Sequence, residues 1–257
     1  MNQQLQLGLI IEGNSTGSEI LRLPSVVQEL GPVKSSSIRV ARRHSNQIRA
    51  GYPVADYQDL HAANLILIKV ADSSVPKVVE ELCASDLSLR GLGFVLCESW
   101  LHSVELAPLA KRGANVATAW KLPSVSTPRF VVEGDIKAVR QVRRFLTRNG
   151  THSVELSPEH KHLIFASELL ALTVPLALLG CARRLLRESG VSGNVLSDIL
   201  DQMARKMVLD FSRGSRLDAS GPVAECPPET MNSYLDALDG TEPWIASLLR
   251  QHRRTVL

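Results

Sequence analysis

Apolar positions along this chain keep two rhythms, and the change between them falls once. Over the first 157 residues, short unbroken apolar runs alternate with stretches of helical period. The runs lie at 7–11 (LGLII), 37–41 (SIRVA), 65–70 (LILIKV), 93–97 (GFVLC), 115–119 (NVATA) and 129–132 (RFVV). Each is too short for a buried helix and unbroken enough for a strand covered on both faces. Between them, 76–83 gathers Val78, Val79 and Leu82 on one face, and 136–149 turns Ile136, Val139, Val142 and Leu146 inward. Strand and helix in alternation predict a doubly wound α/β sheet over residues 1–157.

The rhythm changes at Ser157-Pro158, where serine is placed to cap a helix and proline to open it. Helices alone are predicted beyond: 159–189, bent at Pro175; 195–209, with Val195, Leu196, Ile199, Leu200, Met203 and Met207 in one stripe; then 228–238 and 243–251. The second domain, 158–257, is therefore expected to be all-α. Within it, residues 163–182 (LIFASELLALTVPLALLGCA) carry one charge, Glu168. That run is long enough to span a membrane, but Glu168, Pro175 and the want of a second span favour a helix buried in a core or a dimer interface. Its apolar residues, from Leu163 and Phe165 to Leu178 and Leu179, occupy every face of a helix, so a homodimer through the C-terminal helices is expected.

Composition narrows the classes. Hydrophobic residues make up 44% and charged residues 21%, the balance of a packed chain, while aromatics at 4% leave the core to Leu, Val, Ile and Ala. A net charge of +3 is too small to argue for nucleic acid. The stripe Lys137, Arg140, Arg144 and Arg148 has no groove-reading motif beside it and reads as a solvated helix face. Cys83, Cys97, Cys181 and Cys226 form neither a C-x-x-C pair nor a zinc spacing, and suit reduced thiols in a cytoplasmic protein. The start, MNQQLQLGLII, has no basic n-region and does not read as a secretory signal.

The candidate chemistry begins at IIEGNSTG, residues 10–17, between the first strand and the following helix. A dinucleotide-binding turn there carries three glycines: for the bend, for the approach of the pyrophosphate and for helix–strand packing. Gly13 and Gly17 are present, but Glu12 and Asn14 stand at the first two glycine positions when Gly17 is the third. Thr16 and Glu19 have capping-box spacing, and the Ser15 and Thr16 hydroxyls with helix N–H groups make a candidate anion site. Pro24 is expected to interrupt the helix after two turns. The run at 37–41 ends in Ala41-Arg42-Arg43-His44, where an acid would accept the ribose hydroxyls of NAD; Arg42 and Arg43 instead suit the extra phosphate of NADP.

The segments IKVAD (68–72), FVVEGD (130–135), the stretch 161–192 and ASGPVAECPPETMNSYLDAL (219–238), in this order, carry a resemblance. Over nearly its whole length the chain resembles Rossmann-like proteins of the 6-phosphogluconate dehydrogenase and pyrroline-carboxylate reductase kind, in particular a subgroup whose helical C-terminal domain has no known function. The resemblance implies a Rossmann-type sheet over 1–157, dimerisation through the helices of 158–257, and an interdomain cleft where hydride passes from the reduced nicotinamide of an NAD(P) cofactor, with NADP preferred, to a small carbonyl, imine or acid. It puts Gly13, Ser15, Thr16 and Gly17 at the phosphates, Arg42 and Arg43 at the adenosine, and Asp72 and Ser99 near the nicotinamide. Lys161 would be a proton donor or electrostatic clamp, although it reads more simply as a solvated first-turn lysine.

The departures from the subgroup gather on that cleft. Its H-x-S-G is Cys97-Glu98-Ser99-Trp100, its His-Pro falls within Trp120-Lys121-Leu122-Pro123, and its Tyr-His is Ile164-Phe165. An expected asparagine is Thr173, and Arg-Gly-Asp is Glu225-Cys226-Pro227. Two readings therefore stand: an NAD(P)-dependent oxidoreductase acting on a small molecule, or a non-catalytic dimeric binding or regulatory module that has lost its cofactor.

Overall fold

Strand order follows from which apolar runs are covered on both faces. The computed structural model describes residues 5–13, 18–124, 127–213 and 226–256. Among them, eight strands form one sheet: β1 (Leu7–Ile11), β2 (Leu30–Lys34), β3 (Tyr52–Val54), β4 (Leu65–Lys69), β5 (Gly93–Cys97), β6 (Asn115–Leu122), β7 (Arg129–Gly134) and β8 (His152–Glu155). Their order is β3-β2-β1-β4-β5-β6-β7-β8. Neighbours run parallel except β6 with β7. The chain's direction across the sheet reverses between β1 and β4, the topological switch point at whose carboxyl edge ligands bind in open α/β sheets.

Alternation along each strand builds two cores. Leu65 and Leu67 face one side with Leu7, Leu9, Ile11 and Val95, under Val139, Val142, Phe145 and Leu146 of α5 (Ile136–Arg148). Ile66 and Ile68 face the other with Ile10, Phe94 and Leu96, under Val75, Val78, Val79 and Leu82 of α3 (Val75–Ala84). Full burial of each such side chain contributes roughly 1.5–3 kcal/mol, so helices on both faces hold the central strands in place. The remaining helices of this part are α1 (Pro24–Glu29), α2 (Ile38–Ile48) and α4 (Ala107–Lys111).

Five of the six expected strands are present; the exception is 37–41. Ser37 accepts a hydrogen bond from the Val40 N–H at the start of α2, and Ala41, His44 and Ser45 are the buried face of a helix. The true second strand, Leu30–Lys34, contains Gly31-Pro32, which reads as a turn. The sheet accommodates it with a register shift against β1: Leu7 pairs with Leu30 and Leu9 with Val33, so two residues oppose Gly8. Pro32, which has no N–H to donate, lies in that bulge. Pro24 does not interrupt a helix but opens one, after a 3-10 turn at Ile20–Arg22.

Beyond Pro158 the described residues are helical. They form α6 (Lys161–Glu168), α7 (Val174–Glu188), α8 (Gly193–Ser212), α9 (Pro228–Asp239) and α10 (Pro243–Val256). The disturbance expected at Pro175 is a π-helical turn at Leu169–Thr173, where the Val174 N–H bonds back to the Leu169 carbonyl. Proline cannot bond to the carbonyl four residues before it, Ala171, and the loosened turn includes that residue. Two compact units divide within this helical run, Met1–Ala166 and Ser167–Leu257, so Lys161 and Phe165 belong to the first unit, beyond the boundary expected at 157. In the second unit, Arg184 pairs with Glu242, and Arg250 with Asp236 and Asp239.

Candidate active-site edge of the sheet

The carboxyl ends of β1, β4, β5 and β6 meet along one edge, and each delivers polar side chains to it. From the end of β5 comes Glu98, whose backbone is left-handed (φ 53°). Its own N–H is held by the Ala119 carbonyl at 2.8 Å. One carboxylate oxygen accepts the N–H groups of Glu19 (2.8 Å) and Ile20 (3.3 Å), in the segment following β1. The other pairs with Lys69 Nζ, at the end of β4, at 3.1 Å. Glu19 pairs in turn with Lys121 of β6 at 3.3 Å.

Asp72 and Ser99, expected together, are in contact. The Ser99 hydroxyl donates to Asp72 at 2.6 Å, the Trp100 N–H donates to the second Asp72 oxygen at 3.1 Å, and the Leu101 N–H donates to Ser99 Oγ at 3.1 Å. Ser99 is buried. The pair therefore organises the turn after β5.

Lys161 is not solvated; it is 1% exposed and lies against Glu133, itself 0% exposed. Its ammonium group donates to the Leu101 carbonyl and, at 3.0 Å, to Thr118 Oγ1, and lies 3.7 Å from Glu133. Glu133 accepts from the Ser103 N–H and hydroxyl, both at 2.7 Å, and from Thr118 at 3.1 Å. This is a buried charge pair with its hydrogen-bonding capacity engaged, the condition for tolerating charge away from water. Burial pushes the Lys161 pKa down to about 8, with Glu133 and Asp72 opposing the shift.

Four residues along α6, on the same helix face, Phe165 lies against Trp100 and Trp120. Ring centroids are 4.3 Å apart for Trp100–Phe165 and 4.9 Å for each of the other two pairs. Aromatics are only 4% of the chain, yet three meet here above the Lys161–Glu133 pair. Sequence reasoning missed this cluster, whose one signal was Trp100 at the glycine position of the resembled H-x-S-G.

Arg42 and Arg43 are not at a strand end. Both are exposed in the second turn of α2. The residues that do follow β2 are Ser35, Ser36 and Ser37, with Lys34 before them and the exposed Arg39 at the second helical position. Ser35 donates to the Ile11 carbonyl at 2.5 Å, and Lys34 Nζ stands 4.8 Å over the Tyr57 ring. Tyr57 donates to Glu81 at 2.8 Å. Burial first, then Glu81 and Glu12, hold its hydroxyl well above the usual phenol range. Gly13 has φ 77°, favouring glycine, and a side chain there would meet open space. Asn14, Ser15, Thr16 and Gly17 lie outside the described residues, as does the capping contact expected of Thr16.

The strand order, with its switch point between β1 and β4, defines a Rossmann-type fold, here followed by a helical region. No protein-family model and no curated protein sequence matches the chain. Solved structures do. A Bacteroides fragilis protein provisionally assigned as an NADP oxidoreductase aligns at TM-score 0.72 and 12% identity, over 98% of this chain and 96% of its own. An imine reductase of Streptomyces aurantiacus aligns at 0.70 and 13%, over 98% and 95%. An Aspergillus terreus reductive aminase, solved with NADPH and ethyl-5-oxohexanoate, aligns at 0.66 and 15%, over 93% and 86%. At such identities the likeness is one of fold alone: a Rossmann-type sheet followed by helices.

Because the folded Lys161 pKa lies below the unfolded value of about 10.4, the unfolded chain binds more protons between about pH 8 and 10.4, and the contribution of Lys161 to stability rises with pH across that window. Urea unfolding at a series of pH values is expected to show this rise in the parent and its loss in Lys161→Met. At pH 7 that variant leaves Glu133 buried without its cation and is expected to lose about 3–5 kcal/mol. Adding Glu133→Gln is expected to recover part of the loss; additive losses would contradict the pairing.

Proposed function

We propose that the protein is an NADP-dependent oxidoreductase of the superfamily whose fold it shares, acting on a small carbonyl or imine compound. The observation that carries this reading is the end of β2, where Ser36, Ser37 and Arg39 surround the start of an 11-residue helix. Hydroxyls, helix N–H groups and a guanidinium suit a ribose phosphate, and no carboxylate follows the strand there to accept the free hydroxyls of NAD. Gly13, with φ 77° and no described neighbour within 4 Å of a side chain there, suits a dinucleotide as well. A bound nicotinamide would supply the hydride. In this reading Ser99 and Lys161 hold the floor of the site, since their donors are already engaged by Asp72, Leu101, Thr118 and Glu133.

The residues do not fit the cofactor everywhere. The amides of Glu19 and Ile20, close after the phosphate turn, are taken by the Glu98 carboxylate. That contact favours the second reading, a binding or regulatory module without catalysis. Calorimetric titration with NADPH and NADH separates the two. Saturable micromolar binding, tighter for NADPH, is expected of the oxidoreductase, and absence of binding to both would contradict it.

Assembly as a homodimer through the C-terminal helices, in the cytoplasm, is part of the proposal. It is supported by Leu170, Leu176, Val208 and Phe211, which are 60–84% exposed, and by the four free thiols. The run Pro158–Glu188 is long and apolar enough to cross a membrane, and 6% of its most apolar window is buried within the chain. Covering such faces takes an interface of about 2,000 Å² or more. Sedimentation equilibrium without detergent is expected to give twice the chain mass at micromolar concentration; a single-chain mass would contradict the dimer, and insolubility without detergent would favour a membrane.

A further inference from the structure

We infer that Glu98 is the residue that decides whether a dinucleotide is admitted: its carboxylate holds the donors that a diphosphate at this edge would use. The inference rests on the dinucleotide site proposed above. Glu98 leaves the sheet at β5, and β4 stands between β5 and β1. Its side chain nonetheless reaches back across the switch point, pairing with Lys69 at the end of β4 and accepting two amides from the segment after β1. The contact is an anion held by two N–H groups and an ammonium, the set by which proteins hold a phosphate oxygen.

Two anions cannot share those donors. A diphosphate arriving while Glu98 is in place meets a negative charge where it needs positive ones, in a partly buried setting that strengthens the repulsion. The Glu98 side chain is 16% exposed and that of Lys69 24%, so the contact is more than a solvent-screened surface pair. If Glu98 is removed, Lys69 and both amides become available to phosphate at once. Glycine is suited to the position, because it adopts φ 53° without the cost a side chain brings. The variant that opens the site therefore also relieves its backbone.

The test compares the parent chain with Glu98→Gln and Glu98→Gly by calorimetry, using NADPH and adenosine 2′-monophosphate, which carries the adenine-end phosphate without the diphosphate. Thermal unfolding checks that each variant is folded. Affinity for NADPH is expected to rise tenfold or more in both variants, while the fragment binds parent and variants alike. Lys69→Met added to Glu98→Gly is expected to cancel the gain. Equal NADPH affinity in parent and variants overturns the inference and leaves the oxidoreductase reading standing. NADPH bound by the variants alone supports the inference and defeats that reading for the natural chain. A gain shared equally by the fragment overturns the inference, and failure of every protein to bind either ligand overturns both.

Discussion

The ligand edge of this sheet is organised by one constraint: charges that leave water must be matched. Three of its carboxylates are met by protein donors. Glu98 draws β5, β4 and the segment after β1 together through Lys69 and two backbone amides. Asp72 fixes the turn after β5 through Ser99 and the Trp100 N–H. Glu133 anchors the start of α6 through Lys161, with Thr118 and Ser103 satisfying its oxygens. A ligand-binding edge ordinarily keeps some polar groups unspent for its ligand. Here these are largely spent within the chain, and the functional question becomes which of them a ligand can recover.

Glu98 and Lys161 answer it differently. The Lys161–Glu133 pair is almost fully removed from solvent, so breaking it strands a charge at a cost of several kcal/mol. It acts as a fixed foundation beneath Trp100, Trp120 and Phe165. Glu98 and Lys69 are partly exposed; water can solvate both partners once they separate, and exchange of one anion for another is correspondingly cheaper. A site of this construction is closed toward a diphosphate at rest and is opened by a single side chain.

The central strands were legible in the sequence because burial on both faces leaves an unbroken apolar run, as at β1 and β5. Strand β2 was not, because Gly31-Pro32 reads as a turn and the bulge that accommodates it is a property of the paired strands. The neighbouring run at 37–41 was apolar enough to pass for the missing strand, which carried Arg42 and Arg43 to the wrong end of an element. Strand β8 (HSVE) is largely polar and takes its identity from pairing with β7 alone. Glu98 stands at the unspecified position of the resembled H-x-S-G, and the amides its carboxylate accepts lie 78 and 79 residues away along the chain, so nothing local announces that contact. Lys161 follows Ser-Pro in a helix's first turn, where lysines are commonly solvated. Its one clue was Glu133, a charge inside the apolar run RFVVEG that had to find a partner.

Occupation of the Glu19 and Ile20 amides by the Glu98 carboxylate is the central claim, and it is open to direct observation without any ligand. Hydrogen–deuterium exchange of the Glu19 and Ile20 amides, followed by NMR, reads that contact. The account predicts that both amides are protected in the parent and lose that protection together in Glu98→Gly, while amides within β4 and β5 keep theirs. Rapid exchange of both amides in the parent, or equal protection in parent and Glu98→Gly, would contradict it.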